Sequence, residues 1–316
     1  MLGKTAGSLF WMARYLERSE NNARLIDAGF RIALTRSQTA PAEWRSILET
    51  AGVDQAFLAT HDDYSSARVV DFLLRDPANP SSILSIVKHA RDNARTARTA
   101  LTREVWEAVN TSWMTLTDLL KRPLREDDLP DVLAAIRQQS AQVRGALTGT
   151  MLRNDGYNFA RLGTFLERAD NTARLVDVKF HALNSEFFGA ATEEDQEYDF
   201  YHWSAILRSV SAFEVYRKVY RDVIKPERVA ELLILRADMP RSLHASLAEV
   251  VANLAKVQNE QSAETQRRAG KLLADLQYAR VDEILATGLH AYLTQFLDRV
   301  NELGVRISQD FLVPAH

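Results

Sequence analysis

Residues 15–30 read YLERSENNARLIDAGF, and residues 165–180 read FLERADNTARLVDVKF. From residue 16 to residue 30, nine of the fifteen positions are identical at an offset of 150. Chance alignment would give about one identity, so the match marks an internal duplication. Tyr15/Phe165, Glu20/Asp170 and Ile26/Val176 differ conservatively. At 100° per residue, Glu17, Asn21 and Arg24 share one face of a helix, within about 60° of one another. Met12, Leu16, Ala23, Ile26 and Phe30 spread over the other side. The second stretch repeats the arrangement with Glu167, Asn171 and Arg174, while Arg18, Arg168, Asp27 and Asp177 border the polar face.

Outward from this stretch the similarity continues weakly. Trp44, Ile47 and Leu48 match Trp203, Ile206 and Leu207 at an offset of 159, and Pro80, Ser82 and Ile83 match Pro240, Ser242 and Leu243 at 160. The growing offset places an insertion in the second copy, and the acidic run 184–200, NSEFFGAATEEDQEYDF, reads as an inserted solvated loop. Helices are expected over 6–36 and 157–184, around Trp44 and Trp203, and over 66–75 and 227–236. Longer ones are expected over 81–120 and 241–258, with 130–152 and 268–312 closing the copies. Leu289, Tyr292, Phe296, Val300, Leu303 and Ile307 form an amphipathic stripe. Strand alternation is absent. The expected fold is all-α: a helical bundle of two tandem copies of one multi-helix unit, related by a pseudo-twofold axis. The first repeat spans 1–153 and the second 154–316, parted at Asn154-Asp155-Gly156 and packed as one globular unit.

Composition agrees. Of 316 residues, 46% are hydrophobic and 26% charged, with only 12 Gly and 8 Pro, a mixture that favours long helices. There is no cysteine, which excludes disulfides, thiolate metal sites and a cysteine nucleophile. The net charge of −3 gives no global pull toward nucleic acid, so nucleic-acid binding is not expected. No apolar run is long enough for a membrane span, and the N-terminal apolar stretch is too short for a secretory signal, so a cytoplasmic location is expected. A phosphate-binding glycine loop, a His-Glu-x-x-His pair and the Glu-x-x-His pairs of di-iron bundles are missing. Asp62-Asp63 is similar to the acidic motifs of helical prenyl-transfer enzymes, but no second acidic helix follows and the pair falls in an expected loop. No metal site, cofactor or reaction type is assigned.

Both copies keep the same three polar residues while their neighbours differ, and Phe10, Ala28, Ala160 and Val178 share the polar face, so that face is at least partly enclosed. Two readings fit. In one, Glu17–Asn21–Arg24 and Glu167–Asn171–Arg174 form a buried structural network whose half-satisfied state would be costly. In the other, the two helices line a polar cavity where arginine clamps an anionic ligand. A second cluster lies in residues 88–110, KHARDNARTARTALTREVWEAVN, with Arg91, Arg95 and Arg98 on one helical face and Asn93 and Glu104 on another. It reads either as an anion-facing stripe or as a solvated face balanced by nearby acids.

These stretches together resemble the bacterial alpha-E domain family, named for its helical character and its Glu-Arg motif. The resemblance rests on MLGKTAGSLFWMARYLERSENNARLID, RLGTFLERADNTARLVD and HARDNARTAR with REVWEAVN, and it covers essentially the whole chain. It implies that the motif falls on Glu17, Arg18, Asn21, Arg24 and Asp27, on Glu167, Arg168, Asn171, Arg174 and Asp177, and on Asn93, Arg95, Arg98, Glu104 and Trp106. The region after Pro240 is less typical, which leaves a role for Arg241 in doubt. Genes of the family commonly neighbour those for a circularly permuted ATP-grasp protein and a transglutaminase-like protein. The resemblance thus implies these two as partners in a peptide or amino-acid modification pathway, with a carboxylate- or phosphate-bearing ligand, small molecule or peptide. The competing expectation is a non-catalytic helical interaction module.

Overall fold

The two Glu-Arg stretches form the two longest helices, α1 (Gly3–Thr35) and α8 (Asp155–Glu186), because each runs without glycine pairs or proline and carries a continuous apolar stripe. At 1.5 Å per residue each is about 50 Å long. The computed structural model describes residues 3–35, 40–186 and 193–312. Among these there is no strand.

The order after α1 is α2 (Ala40–Ala51), α3 (Asp54–Leu58), α4 (Ser66–Leu74), α5 (Ile83–Thr96), α6 (Arg103–Leu119) and α7 (Leu129–Thr150). After α8 come α9 (Glu193–Ser209), α10 (Phe213–Tyr220), α11 (Pro226–Ile234), α12 (Leu243–Lys256), α13 (Ala263–Gln277), α14 (Val281–Thr287) and α15 (Leu289–Ile307). α1 and α8 pack along each other at the centre; α1 is also covered by α5 and α7, and α8 by α12 and α15. Among the described residues a large apolar cluster draws on all fifteen helices, and Ala28, Ile32 and Ala205 form a second, small one. α5 and α12 start alike. Ser82 Oγ accepts from Ser85 N at 3.4 Å and Ser242 Oγ from Ala245 N at 2.9 Å, each supplying one of the acceptors that a helix start lacks.

Three expectations are corrected. The stretch 81–120 is not one helix: α5 ends in a 3-10 turn at Arg98–Ala100, Leu101 is extended, and Thr102 Oγ1 caps α6 by accepting from Val105 N at 3.3 Å. The stretch 268–312 takes in the end of α13, α14 and α15, broken at Tyr278–Arg280 and again at Gly288 (φ 102°), and on α15 it is Leu293, not Tyr292, that is buried with Phe296 and Val300. Of the acidic run 184–200, residues 184–186 extend α8 and 193–200 begin α9, so those parts are helical rather than loop; 187–192 lie outside the described residues.

The central packing depends on one missing side chain. A Cβ placed on Gly163 would lie 2.1 Å from the carbonyl oxygen of Phe10, so α8 meets the backbone of α1 directly there. Gly163→Ala gains up to about 1 kcal/mol of helix propensity. It drives a methyl group into rigid backbone, and overpacking of that kind costs about 1–3 kcal/mol. The expected result is a lower urea midpoint with α-helical circular dichroism retained; an unchanged or raised midpoint would contradict so close a crossing.

Candidate functional site at the Glu-Arg seam

Where α1 lies along α8, each helix presents a glutamate and an arginine to the other. Arg168 grips Glu17 side-on, Nε to Oε1 at 2.8 Å and Nη2 to Oε2 at 3.0 Å. Arg18 grips Glu167 the same way, Nε to Oε1 at 2.5 Å and Nη2 to Oε2 at 2.9 Å. These are reciprocal two-bond forks, the strongest common pairing of these groups. Arg14 adds a bond to Glu167 Oε2 at 2.8 Å.

The Glu17 side carries more. Arg241, just before the cap of α12, donates from Nη1 to Glu17 Oε1 at 3.0 Å and to Asn21 Oδ1 at 3.1 Å, and from Nη2 to Glu20 Oε1 at 2.6 Å. Arg144 of α7 reaches Glu17 Oε2 at 3.3 Å and Glu20 Oε2 at 2.7 Å. Arg24 donates to Glu20 Oε1 from Nε and Nη2 at 3.0 and 2.8 Å. The group is deeply buried: Glu17 and Glu167 are 3% exposed, Glu20 1%, and Arg168 and Arg241 8% each. Burial alone would push these carboxyls up. For Glu17, Arg168, Arg241 and Arg144 outweigh it and hold the group at about 2. Glu167 is held below the usual carboxylate range by Arg14 and Arg18, and Glu20 by Arg241, Arg144 and Arg24 against the repulsion of Glu17. Burial, with Arg168 nearby, pulls Arg241 below the ordinary arginine value although Glu17 and Glu20 oppose this; Arg168 is held above it by Glu17 against burial.

Beside this lattice, between α1, α7 and α8, lies a cavity of about 100 Å³ lined among others by Glu17, Arg144, Arg161, Arg168, Thr164 and Phe165. Arg144 is 38% exposed, so the cavity reaches solvent on that side. Among the described residues no group of three or more metal-ligating side chains gathers. No helix among them is long and apolar enough to cross a membrane.

The expected site residues divide. Glu17, Arg18, Asn21, Glu167 and Arg168 come together. Arg24 joins through Glu20 rather than Glu17, and Arg174 is held by Asp170 on its own helix at 2.9 and 3.2 Å, not by Glu167. Asn171 is half-buried and makes no hydrogen bond with the described residues. Asp27 bridges Arg31 (3.2 Å) and Arg137 (3.0 Å), and Asp177 lies 2.7 Å from His290 Nδ1. The second cluster stays apart on α5 and α6: Asn93 donates to the carbonyl of His89, Arg95 and Glu104 are exposed, and Arg98 sits 5.5 Å from the Trp106 ring. Arg14, Glu20, Arg144 and Arg241, which the sequence did not single out as site residues, also join the lattice.

The repeated forks are formed by Glu-Arg dipeptides, and the family model for Alpha-E, a predicted alpha-helical domain with a conserved ER motif, matches residues 1–312. The chain belongs to the Alpha-E family. Similar proteins include an uncharacterised protein of Mycobacterium bovis and two of Mycobacterium tuberculosis, each 24% identical over 324 residues and covering 93% of this chain. The chain spans only 35% of the length of these relatives. No solved structure matches significantly.

Two outcomes follow for this Alpha-E lattice. An unfolded glutamate titrates near 4.3, whereas Glu17 folded titrates at about 2 and Glu20 and Glu167 are also lowered. As pH falls, the unfolded chain takes up protons first. The lattice's stabilisation is therefore full above about pH 5 and drains away from there toward about pH 2; urea midpoints measured across this range should fall steeply, and a flat profile would contradict the ion pairing. Arg168→Met strands Glu17 in part and should cost about 3–5 kcal/mol. The half-exposed Arg174→Met should cost under about 1 kcal/mol, and equal losses in the two variants would overturn this assignment.

Proposed function

We propose that the chain is a binding component that receives a carboxylate- or phosphate-bearing ligand, small molecule or peptide, at the Arg144 side of the Glu-Arg lattice. We place it in a cytoplasmic ATP-grasp-linked peptide or amino-acid modification pathway, with the ATP-grasp and transglutaminase-like proteins as partners. The observation that carries the ligand class is charge. Glu17 and Glu20 are two carboxylates, and the guanidiniums of Arg24, Arg144, Arg168 and Arg241 bond to them, leaving a formal excess of two positive charges beside a cavity. An anion entering there meets preorganised donors. The pathway rests on the family resemblance alone.

In this reading the two halves, 1–153 and 154–316, are copies of one unit packed about a pseudo-twofold axis. Pairs beyond the forks support it. Asn22 Nδ2 donates to the carbonyl of Ser81 at 3.2 Å, and Thr172 Oγ1 to that of Arg241 at 3.0 Å; the donors are 150 positions apart and the acceptors 160. Asp27 meets Arg137 where Asp177 meets His290.

The alternative of a purely structural module is favoured by one observation: both oxygens of Glu17, Glu20 and Glu167 already accept from arginine. The two readings part on Arg144. A coupled ATPase assay of the ATP-grasp protein should change when this chain is added, and Arg144→Gln should remove the change with helical circular dichroism retained and a smaller loss of melting midpoint than Arg168→Met, because Arg144 is 38% exposed. No effect of the parent chain on turnover, together with no calorimetric binding, would leave the structural module.

A further inference from the structure

Two helices of this chain end in the same backbone turn, and comparing them exposes a second site. At the end of α2, Gly52 N donates to Glu49 O at 3.0 Å and Val53 N to Leu48 O at 2.9 Å; at the end of α9, Ser211 N donates to Arg208 O at 3.0 Å and Ala212 N to Leu207 O at 2.7 Å. The four pairs of positions are each 159 residues apart. This turn forces its pivot residue into the left-handed region, φ 72° at Gly52 and 57° at Ser211. Glycine takes that conformation freely, whereas serine takes it at a cost in stability. Helix termination needs only a left-handed residue, which Arg221 (φ 51°) also supplies at the end of α10, and does not call for a serine. Strain of this kind persists where another contact demands the side chain.

The contact is visible. Ser211 Oγ accepts from Arg24 Nη1 at 2.7 Å, its single hydrogen bond among the described residues, so its own O–H has no acceptor there. The side chain lines a cavity of about 380 Å³ together with Asp27, Arg31, Arg137, Arg208, Phe213 and Glu214, so three guanidiniums face two carboxylates there. Arg208 is exposed, lies 4.0 Å from the Phe213 ring and has no carboxylate partner among the described residues. Its counterpart in the other turn is Glu49, paired with Arg45 at 2.9 Å, so the second turn carries a base in place of an acid as well as serine in place of glycine. Across the cavity Asp27 holds Arg31 through Nε alone and Arg137 through Nη1 alone, which leaves the rest of both forks open.

We propose that this cavity, distinct from the one beside Arg144, binds the phosphoryl group of a small phosphomonoester. Open guanidinium groups approach from α1 (Arg31), α7 (Arg137) and the end of α9 (Arg208), and the hydroxyl of Ser211 adds a neutral donor. Donors arriving from several sides suit a tetrahedral anion with three terminal oxygens better than a planar carboxylate with two. The space beyond the phosphoryl group, over Phe213, takes the carrier.

The test is calorimetric titration of the full chain with inorganic phosphate and with O-phosphoserine, at fixed ionic strength because exposed charges are screened. The parent protein should bind both. Arg208→Gln, at an exposed position, should fold normally and bind about tenfold more weakly, the usual loss for one charge-assisted hydrogen bond. Ser211→Gly makes the second turn like the first; it should keep or raise the melting midpoint and yet weaken binding, a combination that a merely tolerated serine would not give. Arg144→Gln should leave intact the phosphate binding that Arg208→Gln weakens, which keeps this site separable from the one proposed above. Absence of phosphate binding, full binding in the Ser211→Gly and Arg208→Gln variants, or loss confined to Arg144→Gln would each overturn the proposal.

Discussion

Glu17 and Glu167 sit in the seam between the two central helices, where an ionised carboxylate survives only if arginine meets it at once. Neither glutamate finds that arginine on its own helix. Glu17 is gripped by Arg168 and Glu167 by Arg18, so each helix must carry both an acid to be received and a base to give. Neighbouring residues on a helix point about 100° apart: the glutamate faces the seam and the longer arginine curls round to the opposite acid. The Glu-Arg dipeptide in both stretches is the sequence form of that requirement. It also fixes register, because sliding either helix by a turn would separate both forks and move Gly163 away from the backbone of Phe10.

The two ends of the seam are not alike, and the difference has a chemical direction. Glu167 is shared by Arg14 and Arg18, while Glu17 and its neighbour Glu20 gather Arg24, Arg144, Arg168 and Arg241. Arg241 lies 160 positions after Ser81, and each is the residue before the serine that caps its helix. Burial, Arg168 and Arg24 press against the charge of Arg241, and Glu17 and Glu20 support it. Structural economy explains the forks. The extra guanidiniums gather where Glu20 adds a second buried carboxylate.

What the sequence made legible was the part that repetition marks. Glu17, Arg18, Glu167 and Arg168 stood out because they recur, and the long helices stood out because their apolar stripe is unbroken. The helical wheel then misled, since it groups residues of one helix whereas the decisive partners belong to two; hence Arg24 was joined to Glu17 when it bonds Glu20. Glu20 itself was passed over because its repeat is Asp170, a difference that looks like drift until Arg144 and Arg241 are seen to converge on it. Arg144 carries no local signal at all: it is one arginine on an amphipathic helix, and only the packing of α7 against α1 turns it inward. The arginines of the second cluster stay apart from the seam. Their spacing is regular, but Thr102 caps a new helix after them and Arg95 and Arg98 are left facing solvent.

Arg24 connects the lattice to the strained turn. Its Nε and Nη2 are spent on Glu20, inside the lattice, and its Nη1 on Ser211, at the edge of the larger cavity. A guanidinium is planar and rigid, so fixing two nitrogens fixes the direction of the third. The buried acid thereby aims the donor that holds the serine hydroxyl, and the left-handed turn that presents Ser211 is secured from within the core rather than by its own backbone preference. Any ligand that drew Ser211 or Arg24 toward the cavity would have to work against Glu20. By linkage, whatever neutralised Glu20 would alter the hold on that ligand by the same free energy. The seam between α1 and α8 therefore also sets the geometry around Ser211, at the edge of the larger cavity.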